Sequence, residues 1–181
     1  MKRLIFSCLG LFIRKLTTAE YNNAANLSYQ VYMECGNNDL TQAGIEAFKR
    51  FIYDISLMTE LDIYGAFDNG RLIGIIGIHR EKQHISLFFV QKQYHRQGIG
   101  NSLFNYMMEY YKFTRISVNS STYAVPFYQS LGFKVVGDKE CNKGIVSVPM
   151  VKDGWFDNYG YGLLGYSIQF VCIVLLFKTS N

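Results

Sequence analysis

Ile85-Ser-Leu-Phe-Phe-Val-Gln-Lys-Gln-Tyr-His-Arg-Gln-Gly-Ile-Gly-Asn-Ser-Leu-Phe104 decides the fold. Its first residues are apolar, aromatic and branched, and read as a buried strand starting at His84. A polar turn with Lys92, His95 and Arg96 follows, then Gly98-Ile-Gly100. Ile99, Leu103, Met107 and Tyr110 then recur at helical spacing on one face. A strand, a basic glycine turn and a helix start together make an anion site. The first helical turn has unpaired N–H groups, its dipole favours negative charge, and glycine admits a ligand close to the backbone. The expected ligand is phosphorylated.

Two familiar phosphate sites are excluded by the spelling. The dinucleotide fingerprint wants a third glycine where Leu103 stands, and no Gly-Lys-Ser/Thr string exists for a P-loop. What remains is a glycine pair opening a helix directly after a strand. Further on lies Ala124-Val-Pro-Phe-Tyr-Gln-Ser-Leu-Gly-Phe133. In this order the two motifs resemble the GNAT superfamily of acetyl-CoA-dependent N-acetyltransferases, over roughly residues 12–152. That family pairs an Arg/Gln-x-x-Gly-x-Gly/Ala turn with a later A-x-x-x-Y-x-x-x-G-F segment. The resemblance implies an α/β (α+β) fold, a mixed central sheet flanked by helices.

It also implies roles. Backbone N–H groups of Arg96, Gln97, Gly98, Ile99 and Gly100, with Asn101, would cradle the coenzyme A pyrophosphate. His95 departs from the family pattern, standing where Arg or Gln is usual, while Arg96 beside it keeps a cation. Backbone groups of Phe89 and Val90 would pair with the pantetheine arm, one N–H serving the thioester oxygen. Tyr128 would protonate the departing thiolate. Ser121 would contact the pantetheine, with Asn119 a second candidate. His84 occupies a position where some members carry a basic carboxylate, and an imidazole of ordinary pKa could take a proton through water. Glu60, Asp62 or a water chain are alternatives. The reading is acetyl transfer from acetyl-CoA to a primary amine in a ternary complex. Its rivals are a non-catalytic acyl-CoA-binding module and a membrane-associated protein with an idle domain.

Composition sets the bounds. The 181 residues suit one domain, with 49% hydrophobic and 16% aromatic residues and only 18% charged. A net charge of +4 suits a polyanionic small molecule and is too weak and scattered to argue for nucleic acid. Cys8, Cys35, Cys141 and Cys172 show no metal-ligand or paired spacing, so free thiols in a reducing cytoplasm and no metal are expected. The acceptor is expected to be a small-molecule or peptide amine, and monomer or homodimer stays open.

Elsewhere the chain reads as an extension (1–11), the acetyltransferase domain (12–152) and a hydrophobic tail (153–181). Met1 to Ile13 opens like a signal peptide but lacks a cleavage site. Thr17-Thr-Ala-Glu20 is a capping box for a helix carrying Tyr21, Ala24, Ala25, Ser28, Tyr32 and Cys35. A second helix is expected from about Thr41 to Met58, with Ile45, Phe48, Ile52 and Ile55 on one side. Strands over 61–67 and 71–79 flank Asp68-Asn-Gly70. A strand over 114–119 precedes the short helix of the second motif, and two last strands, Val135-Val136 and 145–151, flank a polar turn over 137–144. In the tail, residues 160–178 come near the length of a membrane anchor.

Overall fold

The computed structural model describes residues 10–36 and 39–154. The membrane anchor read over 160–178, and residues 1–9 of the signal-like start, therefore lie outside the described residues, while Leu11 to Ile13 of that start belong to a strand. Among the described residues, no helix is long and apolar enough to cross a membrane.

The strands are β1 (Leu11–Lys15), β2 (Asp62–Asp68), β3 (Arg71–His79), β4 (His84–Val90), β5 (Arg115–Ser120), β6 (Lys134–Val135), β7 (Glu140–Asn142) and β8 (Ile145–Asp153). The helices are α1 (Tyr21–Cys35), α2 (Gln42–Tyr53), α3 (Ile55–Thr59), α4 (Ile99–Tyr111) and α5 (Val125–Ser130). The sheet runs β1-β2-β3-β4-β5-β8-β6, with β7 paired to β8. Among the described residues only β4 and β5 are parallel neighbours, so the sheet is mixed. Asn69 and Gly70 both take positive φ in the β2–β3 hairpin, as a tight Asn-Gly turn requires.

Side-chain alternation splits the core into two layers. One packs Ile76, Ile78, Ile85, Ile116 and Val118 against Leu103, Phe104 and Met107 of α4. The other packs Ile63, Ile75 and Leu87 against Ala24, Val31, Phe48 and Ile52 of α1 and α2.

Two expectations are corrected. The helix foreseen from Thr41 to Met58 is two helices, because Asp54 is extended (ψ 105°) and its carboxylate accepts from the N–H of Ser56 and Leu57, starting α3 afresh. An aspartate that caps outcompetes continuation of the helix, and Ile55 is left 43% exposed rather than on the core face. The polar turn over 137–144 contains a strand, β7, which forms a hairpin with β8 around Lys143 and Gly144, both at positive φ.

The feature that matters most for function is where two strands part. β4 and β5 pair only at His84↔Ser117 and Ile85↔Val118. Past Ile85, β4 follows β3 as far as Gly74↔Val90, while β5 follows β8 as far as Ser120↔Val148. The register of β3 with β4 shifts there: Ile78 faces Ile85, Gly77 faces Leu87, and Ser86 is the extra residue of a bulge. A bulge bends and twists its strand, and here a wedge opens between β4 and β5.

Candidate active site

The wedge sets what the backbone offers. Gln91 N–H donates to the Ile73 carbonyl, so the Gln91–Ile73 and Phe89–Ile75 pairs are the hydrogen-bonded ones of the β3–β4 ladder. The N–H and C=O of Phe89 thus point at β3, while those of Phe88 and Val90 point into the wedge. This corrects the expectation for Phe89: its backbone does not face the gap, and its side chain packs with Tyr32 and Phe48 on the α1–α2 side. The neighbouring backbone groups that do face the gap are those of Phe88 and Val90. Sequence reasoning missed Phe88 because one bulged residue at Ser86 inverts which backbone groups face which neighbour, and nothing in the spelling of the strand marks it.

At the end of β4 the chain enters the glycine turn. Arg96 (φ 60°) and Gly98 (φ 81°) are both left-handed, an alternation that brings successive N–H groups together into an anion-binding nest. Ser102 N–H already donates within the chain, to the Gly98 carbonyl. Among the described residues, the backbone N–H groups of residues 96–101 make no hydrogen bond of good geometry. These are the groups assigned to the pyrophosphate, lying at the N-terminus of α4, where the dipole favours an anion.

The side chains of this turn serve its shape. Gln97 Nε2 donates to the Gln93 carbonyl at 2.9 Å, and Ile99 is buried in the core. Arg96 and Asn101 are exposed. His95 Nε2–H donates to the Val90 carbonyl at 2.7 Å, leaving Nδ1 toward the Tyr123 hydroxyl 3.4 Å away. The imidazole therefore braces the turn against the strand end and is not aimed outward as an anion ligand. Of Val90, the N–H remains for a ligand in this arrangement.

The family model of the acetyltransferase (GNAT) domain matches residues 37–153. The chain belongs to the GNAT acetyltransferase family. Solved structures repeat its architecture. The GCN5-related N-acetyltransferase (aminotransferase, class-II) of Rhodopseudomonas palustris superposes with a TM-score of 0.68 at 15% identity, covering 84% of this chain and 99% of that one. The PaiA N-acetyltransferase of Thermoplasma acidophilum, in complex with coenzyme A, gives 0.63 at 20% identity, covering 79% and 98%. YjaB of Escherichia coli in its apo form gives 0.64 at 18% identity, covering 80% and 98%. At such identities the likeness is one of fold, and the family match carries acyl transfer as the general reaction.

Within this GNAT domain, Tyr128 lies on α5 against the wedge. Its ring meets Phe88 (centroids 6.1 Å), Phe127 (5.6 Å) and Phe133 (5.3 Å). The residue is 5% exposed. Its hydroxyl has no partner among the described residues, yet it is not among the fully enclosed unpaired polar atoms. The ring is thus held in an aromatic cage with the hydroxyl at its open end. Burial pushes the phenol above its ordinary range, so it stays protonated and able to donate.

His84 is placed differently from the expectation. It sits at the closed end of the wedge, 3% exposed, with Nδ1 2.8 Å from the Ser117 hydroxyl. Four residues of strand, roughly 13 Å, separate it from Phe88 beside Tyr128. Burial, reinforced by His79 and Lys82, pushes its pKa down to about 3. An amine cannot reach a group so enclosed, and an imidazole held so far down is a poor base at neutral pH. Nothing beside His84 in the chain marks this burial, which comes from β3 and β5 on either side of its strand. Of the alternatives, Asp62 is held by Lys15 and by the Tyr111 hydroxyl, and Glu60 stands 3.9 Å from His79 Nε2.

Ser121 caps the 3-10 turn that leads to α5, accepting from Ala124 N–H at 3.3 Å. Asn119 shares the β5 face of Ser117, opposite Ile116 and Val118. Among the described residues, no group of three or more His, Cys, Asp or Glu is placed to hold a metal ion.

Proposed function

We propose that this domain moves an acetyl group from acetyl-CoA to a primary amine by direct attack in a ternary complex. The observation that carries the reading is the run of backbone N–H groups over residues 96–101 that make no hydrogen bond of good geometry, set where β4 and β5 part. Such a run binds a diphosphate without needing a particular side chain. The wedge then takes the pantetheine arm, with backbone groups of Phe88 and Val90 along it and the thioester toward Tyr128.

The amine attacks the thioester carbon, and a tetrahedral oxyanion forms. An N–H of β4 turned into the wedge stabilises it. As the carbon–sulfur bond breaks, the Tyr128 hydroxyl gives its proton to the thiolate and regains one from the water that carries off the ammonium proton. Because burial makes this phenol a weaker acid than usual, the transfer comes late, with the negative charge already on sulfur. Holding both substrates together contributes on the order of 7–11 kcal/mol in favourable cases. The ammonium proton leaves through water rather than directly to His84, because His84 is enclosed and held neutral. The acceptor in this reading is a small-molecule or peptide amine, and the setting is the cytoplasm, where acetyl-CoA is made.

The test is thiol release from acetyl-CoA against a panel of polyamines, amino acids, aminoglycosides and peptides. Turnover with at least one amine supports the reading. Saturable coenzyme A binding with no turnover on any amine favours a binding module instead.

A further inference from the structure

A carboxylate far from the motifs holds the start of the Tyr128 helix. Asp39, in the link between α1 and α2, is 4% exposed. Its Oδ2 accepts from Thr122 N–H at 2.7 Å, and its Oδ1 accepts from the Thr122 hydroxyl at 2.7 Å. Thr122 opens the 3-10 turn Thr122–Ala124, which runs straight into α5. The Ala124 position before α5 provides no side-chain cap of its own, so the carboxylate meets donors that the turn would otherwise leave open.

The other side of this contact is anchored too. Asp39 N–H donates to the Gly36 carbonyl, and Thr41 N–H donates to the Gly144 carbonyl at 2.9 Å. Leu40 bridges to Ile145, and the Thr41 hydroxyl accepts from Gly44 N–H to cap α2. The fit at Gly44 is tight: a Cβ there would lie 2.1 Å from the Gly144 carbonyl oxygen. Three segments, the α1–α2 link, the β7–β8 turn and the β5–α5 turn, are thus tied together through Asp39 and its neighbours.

We propose that Asp39 is a positioning residue for Tyr128, setting the height of α5 along the wedge through its two hydrogen bonds to Thr122. The proposal rests on the acetyl-transfer reading and extends it. The aromatic cage fixes the Tyr128 ring sideways, while β5 leaves the sheet at Ser120. Between Ser120 and Val125 the bonds to Thr122 join the Ser121 cap within the turn and the Tyr123–His95 contact in locating the helix start, and they are the part of that hold reaching the α1–α2 link. A proton donor displaced by an ångström loses much of its effect, which makes such a hold matter to the rate.

The test uses the full chain, with Asp39→Ala, Asp39→Asn and Thr122→Val, each alone and combined with Tyr128→Phe. Turnover is measured with acetyl-CoA and the best amine of the panel, and melting temperature alongside. Asp39→Ala should lower kcat about ten- to a hundredfold and leave KM for acetyl-CoA unchanged. Asp39→Asn should recover most of the rate, since its amide offers an acceptor to the N–H and a donor to the Thr122 oxygen. In the Tyr128→Phe background Asp39→Ala should cost no further kcat, whereas a merely structural role would lower melting temperature and rate by the same amount in both. An undiminished kcat in Asp39→Ala, or an equal fractional loss in both backgrounds, overturns the proposal. Should Asp39→Ala not fold, Thr122→Val decides by the same comparison. Should the wild type bind coenzyme A but turn over no amine, the transfer reading fails, and hydrogen exchange decides the latch. Faster exchange over 122–130 in Asp39→Ala, with α4 unchanged, supports it, and unchanged exchange overturns it.

Discussion

Gly100 and Phe127 touch across the mouth of the wedge: a Cβ on Gly100 would stand 2.8 Å from Phe127 Cζ. The second glycine of the turn before α4 is therefore also the floor on which the Tyr128 helix rests. Gly98 has a different requirement. Nothing lies within 4 Å of a Cβ there, but its φ is +81°. One glycine makes room and the other makes a turn.

The two should fail differently. Gly100→Ala crowds an aromatic ring in a packed layer and is expected to cost about 1–3 kcal/mol of stability, with Tyr128 displaced and kcat reduced. Gly98→Ala is expected to cost about 1 kcal/mol in stability and to weaken acetyl-CoA binding without moving α5. Denaturant melts and titration calorimetry on both variants separate the effects.

Tyr128→Phe keeps the ring in its cage of Phe88, Phe127 and Phe133. We expect kcat to fall about 10²- to 10⁴-fold, the range for loss of a positioned proton donor. Acetyl-CoA affinity should hold, because the diphosphate is bound elsewhere. Steady-state kinetics with calorimetry checks both halves.

Stability should fall in mild acid because of His84. Its folded pKa is depressed to about 3 while the unfolded value is 6.5. Above pH 6.5 neither state binds the proton. Between 6.5 and about 3 the unfolded chain takes it up and the folded chain does not, so stability drops as pH falls, by at most about 1.4 kcal/mol per pH unit for one proton. His79, also lowered by burial, works in the same direction. Urea melts from pH 7.5 to 5 should show the slope, and His84→Asn should flatten it.

Much of this architecture is written locally in the chain. The Asn69-Gly70 hairpin, the Thr17–Glu20 capping box and the strand-turn-helix around Gly98 each specify themselves through neighbours in sequence. What escaped the reading depends on partners far along the chain or on one inserted residue. Ser86 bulges and exchanges Phe89 for Phe88 at the wedge. Asp39 meets Thr122 across 83 positions. His84 looks like a surface residue until its strand is seen between β3 and β5. Helical periodicity over 41–58 gave no hint that Asp54 would begin a new helix.

Titration calorimetry of the purified chain with acetyl-CoA decides whether backbone amides of residues 96–101 grip its diphosphate. Saturable one-to-one binding is expected, which Gly98→Ala weakens and Arg96→Gly, which keeps the amide and relieves a positive φ, largely spares. Absence of any binding heat at millimolar acetyl-CoA, or binding indifferent to Gly98→Ala but abolished by Arg96→Gly, would contradict that grip.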